Sequence, residues 1–182
     1  MRAQSIVGEL PKLAQKLPVL KSRAKLIARK LPSLIGGVKY LLKTDQAEPL
    51  SIGALIEKNA AIYPNHPALL FENQSFTYSA FNAWANRYGN FLLAQGIKKG
   101  DVVAIFMTNR PQVLVTVAAL AKLGAIASLV NTNQRKDALK HSFNLCNPKA
   151  FVIGAELADA FVEVQPALGS AKAPVYGVPD SK

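Results

Sequence analysis

Catalysis needs a nucleophile, a proton carrier, a metal cluster or a loop that turns backbone donors toward phosphate. This sequence holds few candidates for any of them. Its two histidines are His66, set between Asn65 and Pro67, and His141 on a helix face. The first reads as a loop residue and the second as a structural hydrogen-bonding group. The single cysteine, Cys146, lies near a helix end, where it reads as a small buried hydrophobe rather than a reactive thiol. One cysteine and two histidines do not assemble an ordinary structural zinc site. A lone cysteine also excludes a disulfide framework and fits a reducing compartment. Glu72, Asp101 and Asp137 sit where turns and helix starts favour acids. Lys98 and Lys99 flank a turn, and Arg110 precedes a proline that opens a helix. No G-x-G-x-x-G, G-x-x-x-x-G-K or G-x-S-x-G run accompanies them. The sequence therefore assigns no catalytic residue and no metal ligand.

The residues best placed to meet a ligand are Asn131, Asn133 and Arg135. They follow the end of an apolar strand, and ligands of open α/β sheets approach there. They are the candidate cofactor- or substrate-binding residues. In the competing reading the asparagines cap the next helix and Arg135 anchors a loop.

The elements that position these residues follow from periodicity. Ser51 caps a helix through Ala54, Leu55, Lys58 and Ile62 that ends before Pro64. Ala68–Phe71 and Ser75–Tyr78 form a hairpin around Glu72-Asn73-Gln74. Ser79 caps a helix whose apolar face is Phe81, Trp84, Ala85, Tyr88, Phe91 and Leu92, and Gly96 closes it in the left-handed conformation. Strand Val102–Met107 is apolar on both faces, as a central parallel strand is. Pro111 opens a helix that ends at Gly124. Strand Ala125–Val130, a helix from about Arg135 to Cys146, strand Ala150–Ile153, a helix over Leu157–Val164 and strand Val175–Val178 complete the order. Alternation of strands and helices predicts an open, mainly parallel α/β sheet with helices on both faces, joined by right-handed crossovers. The strands Val102–Met107, Ala125–Val130 and Ala150–Ile153 are expected as its neighbouring central members. The run Val113–Val130 carries one charge, Lys122, and could pass for a membrane span. Its lysine, its glycine and the strand-like run after Gly124 fit a buried helix, a turn and a strand instead.

Charge divides the chain. The formal net charge is +11. From Met1 to Lys43 there are ten basic residues and one acid, Glu9; the rest has twelve bases and ten acids. The domains expected are a basic amphipathic helical leader, 1–44, and an α/β domain, 45–182. The leader's apolar series runs Ile6, Leu10, Leu13, Leu17, Leu20, Ala24, Ile27, Leu31, Leu34, Val38, Leu41, in alternating steps of four and three. Lys16, Arg23 and Lys30 flank it. Pro11, Pro18 and Pro32 break it into short helices. Leucines edged with lysines suit an anionic membrane surface, with Leu10, Leu13, Leu17, Leu20, Ile27, Leu31, Leu34, Lys16, Arg23 and Lys30 as the contact set. The same stripe could instead pack on the chain's own body. Nucleic acid is not expected, since Tyr40 is the leader's one aromatic. No secretory signal is visible, and the expected location is cytoplasmic, peripheral to the inner face of the cell membrane.

The body also carries recognisable wording. Tyr-Pro-Asn-His-Pro-Ala-Leu (63–69), Phe-Thr-Tyr-Ser-Ala-Phe-Asn (76–82), Gly-Ile-Lys-Lys-Gly-Asp-Val-Val-Ala (96–104), Asn-Arg-Pro (109–111) and Leu-Ala-Lys-Leu-Gly-Ala-Ile (120–126) resemble the start of the adenylate-forming, AMP-binding superfamily. Asn131-Thr132-Asn133-Gln134-Arg135, with Leu139-Lys140-His141-Ser142 and Ala150-Phe151-Val152-Ile153-Gly154, resembles its fatty acid transport protein branch, the long- and very-long-chain acyl-CoA synthetases. The leader with its Leu-Pro repeats is similar to bacterial members. The resemblance implies a fatty acid–CoA ligase that uses ATP, magnesium and coenzyme A and makes AMP and pyrophosphate, coupled to uptake of a long-chain fatty acid. It implies, too, that this chain is an N-terminal fragment truncated before the T-S-G-T-T-G-x-P-K phosphate loop, the ribose-binding acid and the C-terminal lysine, and is inactive alone. A membrane-docked, non-catalytic interaction module and a ligase for another carboxylate are the alternatives.

Overall fold

Continuous apolar runs, buried on both faces, set up the centre of the fold. In a computed structural model of the protein, the residues described are 51–179. The chain divides into units Met1–Pro49 and Leu50–Lys182, and the described residues all belong to the second. The leader residues singled out above, Ile6 to Lys43, lie outside the described residues.

Four parallel strands form one sheet: β3 (Val102–Phe106), β4 (Ile126–Leu129), β5 (Ala150–Gly154) and β6 (Val175–Val178). Their order across the sheet is β4-β3-β5-β6. Phe106 pairs with Ile153, Ile105 with Leu129, and Gly154 with Val178, so the carboxyl ends of the strands line up. A separate antiparallel hairpin joins β1 (Pro67–Phe71) and β2 (Gln74–Thr77) through Glu72 and Asn73, with Glu72 at a φ of 51°.

Helices cover both faces, and alternation decides which residues meet which helix. Ala104, Phe106, Phe151 and Ile153 point to one face, where they pack on Leu139 and Phe143 of α4 (Lys136–Cys146) and on Phe161 and Val164 of α5 (Ala158–Val164). Phe143 stands at the centre of this layer, its ring edge-on to Phe106, Phe151 and Phe161 at 5.2–5.7 Å. Each such aromatic pair is worth roughly 0.5–1.5 kcal/mol beyond the area it buries. Val103, Ile105, Ala150 and Val152 point the other way. They meet Leu92 of α2 (Tyr78–Ala94) and Val113 and Leu120 of α3 (Pro111–Leu123).

Helix α3 is apolar all round because it is sandwiched. One side lies on the sheet; the other presents Val115 and Ala118 to Phe81 and Ala85 of α2 and to Ile56 of α1 (Ile52–Ile62). That position explains the long apolar run through Val113–Val130 without a membrane. Gly124, at a φ of 67°, ends the helix and β4 begins two residues later. Among the described residues no helix is long and apolar enough to cross a membrane.

Several expectations need correction. Helix α2 is capped by Thr77, whose Oγ1 accepts from the N–H of Ala80, and not by Ser79. The hairpin leads straight into the helix, so the capping hydroxyl is the last residue of β2. The strand after Gly124 is not central. Among the described residues β4 is an edge, with Ile126 and Leu129 more than half exposed. The chain places β5 on the far side of β3, an ordering that no local pattern encodes. His141, expected to hydrogen-bond structurally, is exposed on the surface of α4. Helix α5 starts at Ala158, after a 3-10 turn over Ala155–Leu157.

Candidate functional site

In an open parallel sheet the crevice for a ligand lies outside the carboxyl ends of two neighbouring strands whose connections leave toward opposite faces. Strands β3 and β5 meet that description. The loop after β3 leads to α3 on one face, and the loop after β5 leads to α5 on the other. The side chains at this point are Thr108 and Arg110 from the first loop and Glu156 from the second.

They are already engaged with one another. Oε1 of Glu156 accepts from the N–H of Thr108 at 2.7 Å and from its hydroxyl at 2.9 Å. Oε2 lies 3.3 Å from the Arg110 guanidinium. The side chain of Arg110 is 7% exposed and that of Glu156 19%. Arg110 is held from other directions as well: it donates to the carbonyl of Val178 at 3.1 Å and contacts the sulfur of Met107 at 3.5 Å. Burial pulls the Glu156 carboxyl upward. The N–H groups of Thr108 and of Glu156 itself, the Thr108 hydroxyl and the Arg110 charge together outweigh that and hold its pKa below the ordinary 4.5.

The loop with Asn131, Asn133 and Arg135 lies at the same end of the sheet, after β4. The structure brings the three residues into one turn, and all three are exposed. Oδ1 of Asn131 accepts from the N–H of Asn133 at 2.9 Å, a local asparagine turn. Arg135 donates to the carbonyls of Thr132 at 2.6 Å and Gln134 at 2.7 Å. Arg135 stands at the N-cap position of α4, and no side chain caps that helix. The asparagines are thus not helix caps; Asn131 closes the turn and Arg135 anchors the loop.

Other titratable groups serve the fold. Asp101 accepts from the N–H of Lys98 and from Lys149, and those contacts, the Lys149 hydrogen bond foremost, lower its pKa. Asp137 pairs with Lys140 one turn along α4. Cys146 is half-buried, its sulfur 3.3 Å from the carbonyl of Phe143. His66 stacks on Tyr63 with ring centroids 5.3 Å apart. Among the described residues no group of three or more His, Cys, Asp or Glu is placed to hold a metal ion.

A second concavity, about 520 Å³, runs along the outer side of β6 between α2 and α3. Tyr88, Phe91, Thr116 and Tyr176 line it, and Arg87 stands among them. Phe91, expected on the buried face of α2, is half exposed here, with its ring edge-on to Tyr176 at 5.1 Å.

The sequence missed the Thr108–Arg110–Glu156 cluster. Its members read as unrelated residues because Thr108 and Glu156 are 48 residues apart. The available signal was a charged residue between the end of an apolar strand and a helix-opening proline, matched by Gly154-Ala155-Glu156 at the end of another apolar strand.

Comparison with known proteins agrees with this architecture. The family described as AMP-binding enzyme matches residues 56–179. A medium/long-chain-fatty-acid–CoA ligase of Mycobacterium tuberculosis is 33% identical over 161 residues, covering 88% of this chain and 27% of that protein. Human long-chain fatty acid transport protein 6 is 35% identical over 119 residues, covering 65% of this chain and 19% of its own length. Among solved structures, a fatty acyl CoA synthetase of Mycobacterium tuberculosis superimposes with a TM-score of 0.65 at 28% identity, covering 70% of this chain and 26% of that one. The chain therefore spans about a fifth to a quarter of the length of these three proteins.

Proposed function

Because the chain belongs to the AMP-binding enzyme family, we propose that it is the first part of a fatty acid–CoA ligase that activates long-chain fatty acids. The observation that carries this reading is the match to the mycobacterial ligase. Its 161 residues exceed the 132 from Ser51 to Lys182, so at least 29 of them precede Ser51. The similarity therefore reaches into the leader, beyond what the fold alone requires.

In the proposed reaction a fatty acid carboxylate attacks the α-phosphorus of ATP, pyrophosphate leaves, and the sulfur of coenzyme A then displaces AMP to give the thioester. The described residues do not fit the nucleotide. The donors at the carboxyl end of the sheet are taken by Glu156. No acidic cluster for magnesium stands near them among the described residues. ATP, magnesium and coenzyme A are accordingly not assigned to the described residues, and no chemical step is assigned to their side chains. What the chain contributes is a rigid sheet. Asn131, Asn133 and Arg135 remain the candidates for lining a substrate path where the sheet ends.

The domain division proposed is a leader, 1–44, and a partial ligase domain, 45–182. The leader's excess of nine positive charges and its leucine series favour docking at an anionic membrane surface, on the cytoplasmic side, with no role for nucleic acid.

A hybrid tests the reading. This chain replaces the matching segment of the mycobacterial ligase, and fatty-acid-dependent acyl-CoA formation is measured. Activity within about tenfold of the parent is expected. A soluble, folded hybrid without activity would count against the assignment.

A further inference from the structure

The concavity on the outer side of β6 sets a single charge against an otherwise apolar wall. We propose that it binds an aromatic carboxylate, whose ring lies against Phe91 and Tyr176 and whose charge meets Arg87.

Size and lining are the first argument. The groove holds about 520 Å³, within the roughly 300–1,000 Å³ of small-molecule sites. Its walls carry three aromatic rings, Tyr88, Phe91 and Tyr176, over a floor that includes Leu92 and Val152. Thr116 is also part of the lining, but its hydroxyl already donates to the carbonyl of Gln112 at 2.7 Å. Charge is the second argument. Arg87 is exposed, and among the described residues it has no ion pair or hydrogen bond. No acidic residue lines the groove. A guanidinium at the rim of an apolar groove selects a ligand with a carboxylate at one end of an apolar body.

Ring geometry is the third argument, and it separates aryl from alkyl ligands. Phe91 is half exposed, and its ring stands at 81° to that of Tyr176, with centroids 5.1 Å apart. Two rings at a right angle form a corner. A third flat ring can stack on one and meet the edge of the other. Gly177 lines the same groove, and nothing lies within 4 Å of where its Cβ would stand. Bare backbone lets a planar ligand approach the strand closely. An alkyl chain fills the same space without these ring contacts. The groove lies along the side of β6, so the inference does not rest on the ligase reading.

The test uses the full 182-residue chain and naphthoate as the probe. Calorimetric titration reads affinity, and amide NMR shifts read location. A Kd of about 0.1 mM is expected, the range of a fragment-sized ligand. The largest shifts should fall at Phe91, Tyr176 and Gly177, and none at Leu145, an exposed apolar residue of α4. Decanoate should bind about fivefold more weakly than naphthoate, and neutral naphthamide about tenfold more weakly. These three ligands decide the matter on wild type, without a variant. Arg87→Gln should weaken naphthoate about tenfold, because a charged hydrogen bond is lost, and leave naphthamide unchanged. Phe91→Leu keeps an apolar wall without the ring; it should weaken naphthoate about fivefold and leave decanoate unchanged. No binding, shifts confined to residues outside the groove, decanoate binding as tightly as naphthoate, or a folded Arg87→Gln that binds naphthoate as wild type does would overturn the proposal. So would groove amides that ignore naphthoate in a chain that sediments as a dimer, since a second copy would then cover this face.

Discussion

Lys122 is the one charge in the apolar run that crosses α3, and the structure gives it a cage. Its ammonium donates to Oδ1 of Asn82 at 2.6 Å, Oδ1 of Asn86 at 2.7 Å and Oε1 of Glu57 at 2.7 Å. One side chain thereby ties α3 to both α1 and α2. Its own exposure is 11%, whereas that of Glu57 is 60%. The contributions separate on that basis. An exposed ion pair such as the one to Glu57 contributes about 0–1 kcal/mol. A charged hydrogen bond is worth roughly 1.5–3 kcal/mol, and the part-buried bond to Asn82 is the one that approaches this range. Lys122→Met keeps most of the aliphatic stem, so little packing is lost. It should cost about 2–4 kcal/mol, dominated by Asn82. Urea unfolding followed by circular dichroism reads this as a lower midpoint at unchanged slope. In double-mutant cycles, Lys122 and Asn82 should couple by about 1–2 kcal/mol, while Lys122 and Glu57 should couple by less than about 0.5 kcal/mol. A Lys122→Met chain within about 0.5 kcal/mol of wild type would refute the reasoning, since that is the range of an ordinary surface change.

Two further outcomes follow from the charges. Glu156 has a folded-state pKa below its ordinary 4.5, so its contribution to stability is complete above that value and is lost as pH falls through the folded value. Between pH 3 and 6 the Tm of wild type should therefore fall more steeply with acid than that of Glu156→Gln; parallel curves would remove Glu156 from the account. For the leader, changing Lys16, Arg23 and Lys30 to glutamate should weaken binding of the full chain to anionic vesicles by about 100-fold or more at low salt, at roughly 1 kcal/mol per basic residue. Equal binding by a chain lacking residues 1–43 would show that the stripe does not serve the membrane.

What the sequence reveals depends on how local the cause is. The strands β3, β5 and β6 are legible because alternation and apolar runs act within a few residues, and Val175–Val178 has the same limits in the structure as in the sequence. Gly96 and Gly124 are legible as helix ends because only a left-handed residue closes those turns. The placement of β4 at an edge is not legible, since it depends on where a later strand crosses over. Neither is the cage around Lys122, whose partners lie 36 to 65 residues away. The Thr108–Arg110–Glu156 cluster is not legible for the same reason. Arg110 reads as a helix-flanking base and Glu156 as an unremarked acid until β3 and β5 are laid side by side.

The proposed ligase reading assigns no chemistry to the described residues. Fatty-acid-dependent release of pyrophosphate by the purified chain, with ATP and magnesium, tests it most directly. Transfer to the α-phosphorus needs donors on the developing charge and a cation to offset it. The donors of Thr108 and Arg110 at the carboxyl end of the sheet engage Glu156. Release no greater than that of a no-protein control is expected. Release well above that control, persisting after contaminating ligase is removed, would contradict it and place an active site within these 182 residues.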